Sequence, residues 1–404
     1  MQIPLKPVFH YTLASMKTLV EKAGLCALNR IFGFEPKIGH ALISNIGSAT
    51  ELFEMKSSEI DDILGPFSKY KGKLCRKELD SSAEELESLS RKGITFLGFT
   101  ESSYPTLLGE CNDPPIGLYI RSTSPPEELF NRNTNIAIIG TRDISPYGKE
   151  CCRQSVMELA STTSKPVIVS GLALGADYHA HSAALEFCLP TIGVMATGPE
   201  SIYPVRHHNI AERIVNTPGC ALITDYPPGT SPMAIHFLRR NRIIAGLCEA
   251  TILIESKIKG GGMTTSRLAF NYNRSVYAFP GRVDDIRSQG CNLLIREKIA
   301  EPITDISRVA GQLGLKTGKA GKKPSAPERI QEAYIGKMPT DRIDLMTHLL
   351  LKIKENRGIC IDDLASSFTT SYSTIRSLVE LLELDGFITI DILQRCSIKT
   401  LKSE

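Results

Sequence analysis

Between Asn135 and Asp305, short apolar runs rich in β-branched residues alternate with longer stretches whose apolar positions return every three or four residues. The runs Ile136–Gly140, Val167–Ser170, Thr191–Ala196, Ala221–Thr224, Ala250–Glu255 and Val276–Phe279 read as strands. They are apolar on both faces, as strands of a parallel sheet covered by helices on both sides must be. Pro146–Ala160, Asp177–Phe187, Val205–Val215 and Thr265–Tyr272 read as helices, long enough with their loops to make the crossovers that parallel pairing demands. The alternation predicts an α/β domain over residues 91–310, a Rossmann-like doubly wound parallel sheet.

The pattern changes at both ends. Residues 1–90 read as short helices, a small helical domain. Within it, Phe34 to Ser48 is similar to half of a helix-hairpin-helix or SAM-like unit but lacks the Gly-x-Gly hairpin, so a plain helical bundle is the simpler reading. A proline-punctuated bridge with short strands, around Gly93–Gly98 and Asp113–Ile120, leads into the sheet. Residues 311–339 are glycine- and lysine-rich and read as a flexible basic linker. Beyond it, helices at Asp341–Lys354, Ile361–Ser366 and Ser373–Leu384 and two short strands near Gly386 and Cys396 predict a winged-helix domain over 340–404.

Composition narrows the function classes only slightly. A net charge of +3 on 404 residues says nothing about nucleic acid by itself, so any such role must come from where the positive charge sits. The 11 cysteines are scattered without a Cys-x-x-Cys pair, which disfavours a zinc ribbon or a disulfide framework and fits a reducing cytoplasm. The sequence begins without a secretory leader and holds no run of about 18 apolar residues, so secretion and membrane spanning are not expected. Tryptophan is absent, so base stacking would fall to phenylalanine, tyrosine, histidine or an arginine plane.

The chemistry gathers where loops leave the strands, because ligands of open parallel sheets bind beyond the carboxyl ends. The first strand is followed by Gly140, Thr141 and Arg142, the second by Ser170, Gly171 and the turn to Gly175 and Asp177, the third by Thr197-Gly198, and the fifth by Lys259 to Thr265, which holds Gly261, Gly262, Thr264 and Thr265. Glycine lets a backbone approach an anion, and the amides opening the next helix can bind it. The segment His236-Phe-Leu-Arg-Arg-Asn-Arg-Ile-Ile-Ala-Gly246 adds Phe237, Arg239, Arg240, Asn241 and Arg242. Arg239 and Arg242 are three apart and share a helix face, and guanidinium forks match phosphate oxygens. A solvated charge run is the plain alternative for that segment.

Other chemistries lack their machinery. The dinucleotide fingerprint with its acidic residue at the end of the second strand is missing, and Gly314 to Ala320 lacks both the hydroxyl residue and the preceding strand of an ATP-binding loop. Asp177 and His181 stand one helical turn apart but have no third metal partner, so Asp177 is expected as an N-cap, and neither a metal nor a cofactor is expected. No nucleophile elbow or paired carboxylate is visible, and no enzymatic activity is expected. Two other functions compete with a simple anion-binding role for this edge. One is a nucleotide-hydrolysing Rossmann-like enzyme, for which Glu255 at the end of the fifth strand is the best acid, although a strand-end glutamate is more often structural. The other is a transcription factor acting through the tail, whose third helix carries one basic residue against two acids.

Taken together, Gly140-Thr-Arg142, the Ser170-Gly-Leu-Ala-x-Gly-x-Asp177 run with Ala180-His181, Tyr203-Pro204, the block from Phe237 to Gly246 and Pro280-Gly281 resemble the DNA-processing protein A (DprA/Smf) family over roughly Pro105 to Asp305. Leu238 stands where that family usually has proline, Ala176 where it has a larger aliphatic, and Gly262 where serine is frequent. The resemblance implies a cytoplasmic protein that binds single-stranded DNA, forms a homodimer through its Rossmann-like domain, and loads RecA for recombination, as in natural transformation. It further implies that Arg142 binds backbone phosphate, that Phe237 contacts a base or shapes the pocket, and that Arg239, Arg240 and Arg242 line it.

Overall fold

The run Asn135–Ile139 is buried along its whole length and shows why the central strands are apolar on both faces. Ile136 and Ile138 enter one core, and Ala137 and Ile139 enter another. The computed structural model describes residues 13–131, 134–315, 330–331, 333–356, 358–391 and 394–398. It divides into two compact units, 1–318 and 319–404.

The larger unit starts with helices α1 (Leu13–Phe32), α2 (Pro36–Ile46), α3 (Ala49–Leu52), α4 (Ser57–Leu64) and α5 (Arg76–Arg91). The sheet follows, as β1 (Ile94–Gly98), α6 (Thr106–Gly109), β2 (Gly117–Arg121), α7 (Pro126–Leu129), β3 (Asn135–Ile139), α8 (Pro146–Ala160), β4 (Val167–Ser170), α9 (Ala176–Glu186), β5 (Thr191–Val194), α10 (His208–Val215) and β6 (Ala221–Thr224). Then come α11 (Ala234–Leu247), β7 (Ala250–Leu253), α12 (Gly261–Asn271), β8 (Ser275–Ala278), α13 (Gln289–Arg296), β9 (Glu301–Pro302) and α14 (Ile306–Gln312).

The order across the sheet is β1-β2-β6-β5-β4-β3-β7-β8-β9. Pairing is parallel from β6 through to β9, while β1 and β2 extend the edge in antiparallel fashion. The expected doubly wound α/β sheet is therefore present, enlarged by three strands beyond the six apolar runs. On one face α8 and α9 pack over Ile136, Ile138 and Ile168, and on the other Ile243, Ile244 and Leu247 of α11 pack over Ala137, Ile139 and Val169. The helical head is not a separate body. Leu25, Leu28 and Phe32 of α1 share a core with Phe96, Ile116 and Tyr119 from the β1–β2 edge, so the head roofs the antiparallel end of the sheet.

Element boundaries differ most in one place. Helix α12 begins at Gly261, not at Thr265, which puts Gly261, Gly262 and Thr264 in its first turn instead of in a loop. The segment expected as one helix from Val205 splits into a 3₁₀ turn, Val205–His207, and α10.

The smaller unit holds α15 (Thr340–Glu355), β10 (Ile359–Cys360), α16 (Ile361–Ser366), α17 (Tyr372–Leu384), β11 (Ile388–Ile390) and β12 (Arg395–Ile398), with an antiparallel sheet ordered β10-β12-β11. Its core gathers Met346, Leu349, Ile353, Leu364, Ile375, Val379 and Ile388. The basic linker expected over 311–339 falls mostly outside the described residues; of its ends, Gln312 belongs to α14, and Ile330 and Tyr334 are buried in the smaller unit's core.

Candidate nucleic-acid interface

Strand β3 has β4 on one side and β7 on the other, so the chain reverses its winding direction there and the loops leaving β3 and β7 part. A cleft of about 800 Å³ opens between them. Ile139, Gly140, Gly262, Thr265 and Ile244 form part of its lining, with Thr141, Arg142 and Asp143 from the β3 loop and Ser256, Lys257, Lys259 and Gly260 from the β7 loop. Helix α11 adds Phe237, Leu238, Arg240 and Asn241, and Tyr203, Pro232 and Met233 stand at the edge.

The glycines at this edge are there for close packing. Gly140 lies where a Cβ would come within 2.8 Å of Ala176 Cβ and 3.0 Å of the Glu255 carbonyl. At Gly175 the backbone has φ 73° and ψ −124°, open essentially to glycine alone, and a Cβ would collide with the Thr141 carbonyl. A Cβ at Gly171 would strike the Arg240 guanidinium.

Arg142 is exposed and its guanidinium lies 5.5 Å from the centre of the Phe237 ring. Tyr203 meets the same ring edge-on, with centroids 5.5 Å apart. Lys257 and Lys259 are also exposed on the cleft, and among the described residues none of these three cations has a carboxylate partner. Of the two acids that line it, Asp143 is held by Arg287 at 3.0 Å, and Asp177 is buried. Unpaired positive charge around a ring is the arrangement that grips a phosphodiester while stacking a base.

The arginine segment separates by helix face. Phe237, Arg240, Asn241 and Ile244 recur every three or four residues and turn to the cleft. Arg239 and Arg242 do share a face, but it is the other one. Arg239 donates to the Gly33 carbonyl and lies 4.1 Å from the centre of the Phe34 ring, and Arg242 forms a buried pair with Asp225 at 2.5 Å and donates to the Asp113 carbonyl. Neither lines the cleft. Both bind the helical head and the bridge to α11, helped by Asn29, whose side-chain amide donates to the Asp225 carbonyl at 2.8 Å. Arg240 touches the cleft yet is buried, donating to the carbonyls of Gly171 and Val194. Desolvation lowers its pKa, opposed by the charge of Asp177, while burial raises the pKa of Asp177 against the pull of Arg240.

The loop after β4 is likewise consumed by the fold. Ser170 donates its hydroxyl to the Ile138 carbonyl at 2.6 Å, and the amides of Gly171 and Ala173 donate to Asp177. Asp177 is thus not an N-cap, since Gly175 takes that position; it clasps the loop from the first turn of α9. Ser170, Gly171 and Gly175 support the cleft and do not line it, and Thr264 faces a neighbouring depression with Arg267 and Asn271. The exposed Gly261 and the buried Gly262 remain on the cleft in the first turn of α12, where amides lack intrahelical acceptors, with the buried Thr265 one turn further along.

Glu255 is buried and accepts from the Ser145 amide at 2.9 Å and from its hydroxyl, and Ser145 itself caps α8. This carboxylate anchors a helix start and does not face the cleft. His181 is fully buried against Thr191 at 2.8 Å, and desolvation drops its pKa to about 3. Among the described residues no cluster of histidine, cysteine or acid could hold a metal, and no helix is long and apolar enough to cross a membrane. Sequence reasoning passed over Lys257 as a site residue and quoted Lys259 only as the start of a glycine loop; the signal available was two lysines directly ahead of three glycines.

The sequence model of the family described as DNA recombination-mediator protein A matches residues 95–314. The chain belongs to the DNA recombination-mediator protein A family. Protein Smf of Synechocystis is 31% identical over 282 residues, covering 69% of this chain and 70% of that protein. DNA processing protein DprA of Streptococcus pneumoniae is 35% identical over 211 residues, 52% of this chain and 72% of its own length. A crystal structure of the Streptococcus pneumoniae protein aligns with a TM-score of 0.57 at 26% identity, covering 75% of this chain and 98% of that one. The family match runs from β1 to just past α14, so it takes in the sheet and every residue of the cleft and leaves out most of the helical head and the smaller unit.

Proposed function

We propose that this protein binds single-stranded DNA in the cleft between β3 and β7 and acts as a non-enzymatic mediator that passes strands to a RecA-type recombinase. The observation that carries the reading is Arg142 poised over Phe237 with Lys257 and Lys259 beside them, a cationic rim around an accessible ring. Charge without a base-specific donor set suits sequence-tolerant binding, and a ring that must slide between neighbouring bases suits an unpaired strand better than a duplex. Gly140, Thr141, Asn241, Gly261, Gly262 and Thr265 would bring backbone and small polar groups close to the chain, with Arg240 adding positive potential from beneath. Pairing of two copies through the sheet domain, RecA as the recipient and a cytoplasmic setting are further parts of this proposal, supported by family membership.

Fluorescence anisotropy with oligothymidylate and matched duplex across a salt series tests the reading. Wild type should favour the single strand. Arg142→Ala should flatten the salt slope by about 0.7, the contribution of one single-strand phosphate. Phe237→Ala should weaken binding by roughly tenfold, since stacking of a base is worth about 1–3 kcal/mol. Arg239→Ala, on the far face of α11, should leave the slope unchanged. Equal affinity for duplex and single strand, or a wild-type slope in Arg142→Ala, would reject the proposal. The nucleotide-hydrolase alternative loses its candidate acid, because Glu255 is engaged at Ser145.

A further inference from the structure

Arg142 and Asp143 line two depressions, and the second is not accounted for by the cleft. It measures about 420 Å³ and is bordered by Lys149 of α8, Tyr178 and His179 of α9, and Arg206 and His207 of the turn before α10. Lys149 and Arg206 are exposed, and among the described residues neither has a carboxylate partner. The one acid on its border, Asp143, is already bound to Arg287. The depression therefore carries Arg142, Lys149 and Arg206 with no local neutralisation. That is costly for the folded protein through self-repulsion and is relieved when an anion arrives. The charge is felt within the site, because Lys149 pushes down the pKa of His179, secondary to its desolvation.

An aromatic platform completes it. Tyr178 is exposed, and its ring packs on that of His207 in a tilted arrangement, with centroids 4.9 Å apart and planes 31° from parallel. His207 is buried and fixed by its bond to the Leu172 carbonyl at 2.8 Å, so the Tyr178 ring is backed by a rigid partner instead of moving freely.

We infer that this depression is a second subsite for the same polynucleotide, in which the strand leaving the cleft past Arg142 places successive phosphates on Lys149 and Arg206 and a base against Tyr178. The inference rests on the reading of the cleft as a single-strand site and extends it by naming the direction in which the strand runs: over the amino-terminal ends of α8 and α9, away from the β7 loop. The subsite holds polynucleotide only through this continuation, so occupancy depends on length. A short strand fills the cleft alone, and a longer one reaches both.

The test compares oligothymidylates of about 4 and about 16 nucleotides, the range a single-strand platform covers, against wild type, Arg142→Ala and the double variant Lys149→Gln/Arg206→Gln. Both substituted side chains in the double variant are exposed, so its melting temperature should match wild type and certify the fold. We expect the double variant to lose roughly tenfold affinity for the long strand and to lower its salt slope by about 1.4, two phosphates' worth, while binding the short strand as wild type does. Tyr178→Leu should weaken only the long strand, and a long strand carrying iododeoxyuridine should crosslink to Tyr178. Arg142→Ala should weaken both lengths. A double variant that binds the long strand with wild-type affinity and slope, or that weakens both lengths equally, overturns the second subsite and leaves the cleft standing. Wild type binding neither strand overturns the cleft reading and this inference together.

Discussion

At the scale of single residues, the same side-chain type serves opposite ends depending on what surrounds it. Arg142 is exposed and has no carboxylate partner among the described residues, whereas Arg242 is spent on Asp225 and Arg239 on Phe34 and the Gly33 carbonyl. Four arginines that read alike along the chain therefore divide into one exposed rim group, one buried support and two fasteners. His181 illustrates how burial becomes a measurable dependence on pH. Its ring is held neutral with a pKa of about 3, while in the unfolded chain it would bind a proton near its ordinary value of 6.5. The folded state binds fewer protons below that value, so the stability is intact above pH 6.5 and falls as the pH drops toward 3. From pH 7.5 to 5 this single group should remove about 2 kcal/mol. His181→Gln should abolish that part of the decline, seen as a shallower slope of melting temperature against pH in the variant; parallel slopes would contradict it.

At the scale of elements, the sheet was legible and its loops were not. Strand positions followed from β-branched apolar runs because a strand covered on both faces has no alternative to being apolar, and each of the six expected runs is a strand. The start of α12 was misplaced by four residues because Gly261 and Gly262 are poor helix formers by propensity; the close approach of Gly262 to Leu253, 2.6 Å from a Cβ placed there, favours the small residue inside the helix. The glycine-rich loop after β4 promises an approach for an anion, but its Gly171 and Ala173 amides are used by Asp177. Gly175 ties that loop to the one bearing Arg142. Gly175→Ala should cost roughly 1–3 kcal/mol of stability, the range for residues forced into such backbone regions. It should also weaken single-strand binding, since the added Cβ presses on the Thr141 and Arg142 backbone. Calorimetry and anisotropy on the one variant test both, and an unchanged melting temperature would show that the turn relaxes freely.

At the scale of the whole molecule, the division of labour lies at residue 318. In the smaller unit, Arg376 of α17 is paired with Glu380, which leaves that helix without a free guanidinium for base edges. A chain ending at Gly318 should keep single-strand affinity within a few fold of wild type; a loss of tenfold or more would assign DNA contacts to the tail. Removing residues 1–90 should behave differently, because it would uncover Phe96, Ile116 and Tyr119 and release the partners of Arg239. Such a fragment should bind hydrophobic dyes and aggregate, and a soluble, cooperatively melting fragment would contradict the shared core.

The linear chain determined the parallel sheet, the helical head, the glycine-rich edge and the presence of Arg142 and Phe237, because periodicity and glycine placement are local consequences of backbone sterics and burial. Tertiary structure alone decided which arginines are free, that Glu255 and Asp177 are used as internal anchors, that Lys257 and Lys259 reach the cleft, and that Lys149 and Arg206 border the depression beside it. Those outcomes depend on which distant groups end up within hydrogen-bond or Coulomb range, a property of through-space neighbours that no spacing along the chain encodes.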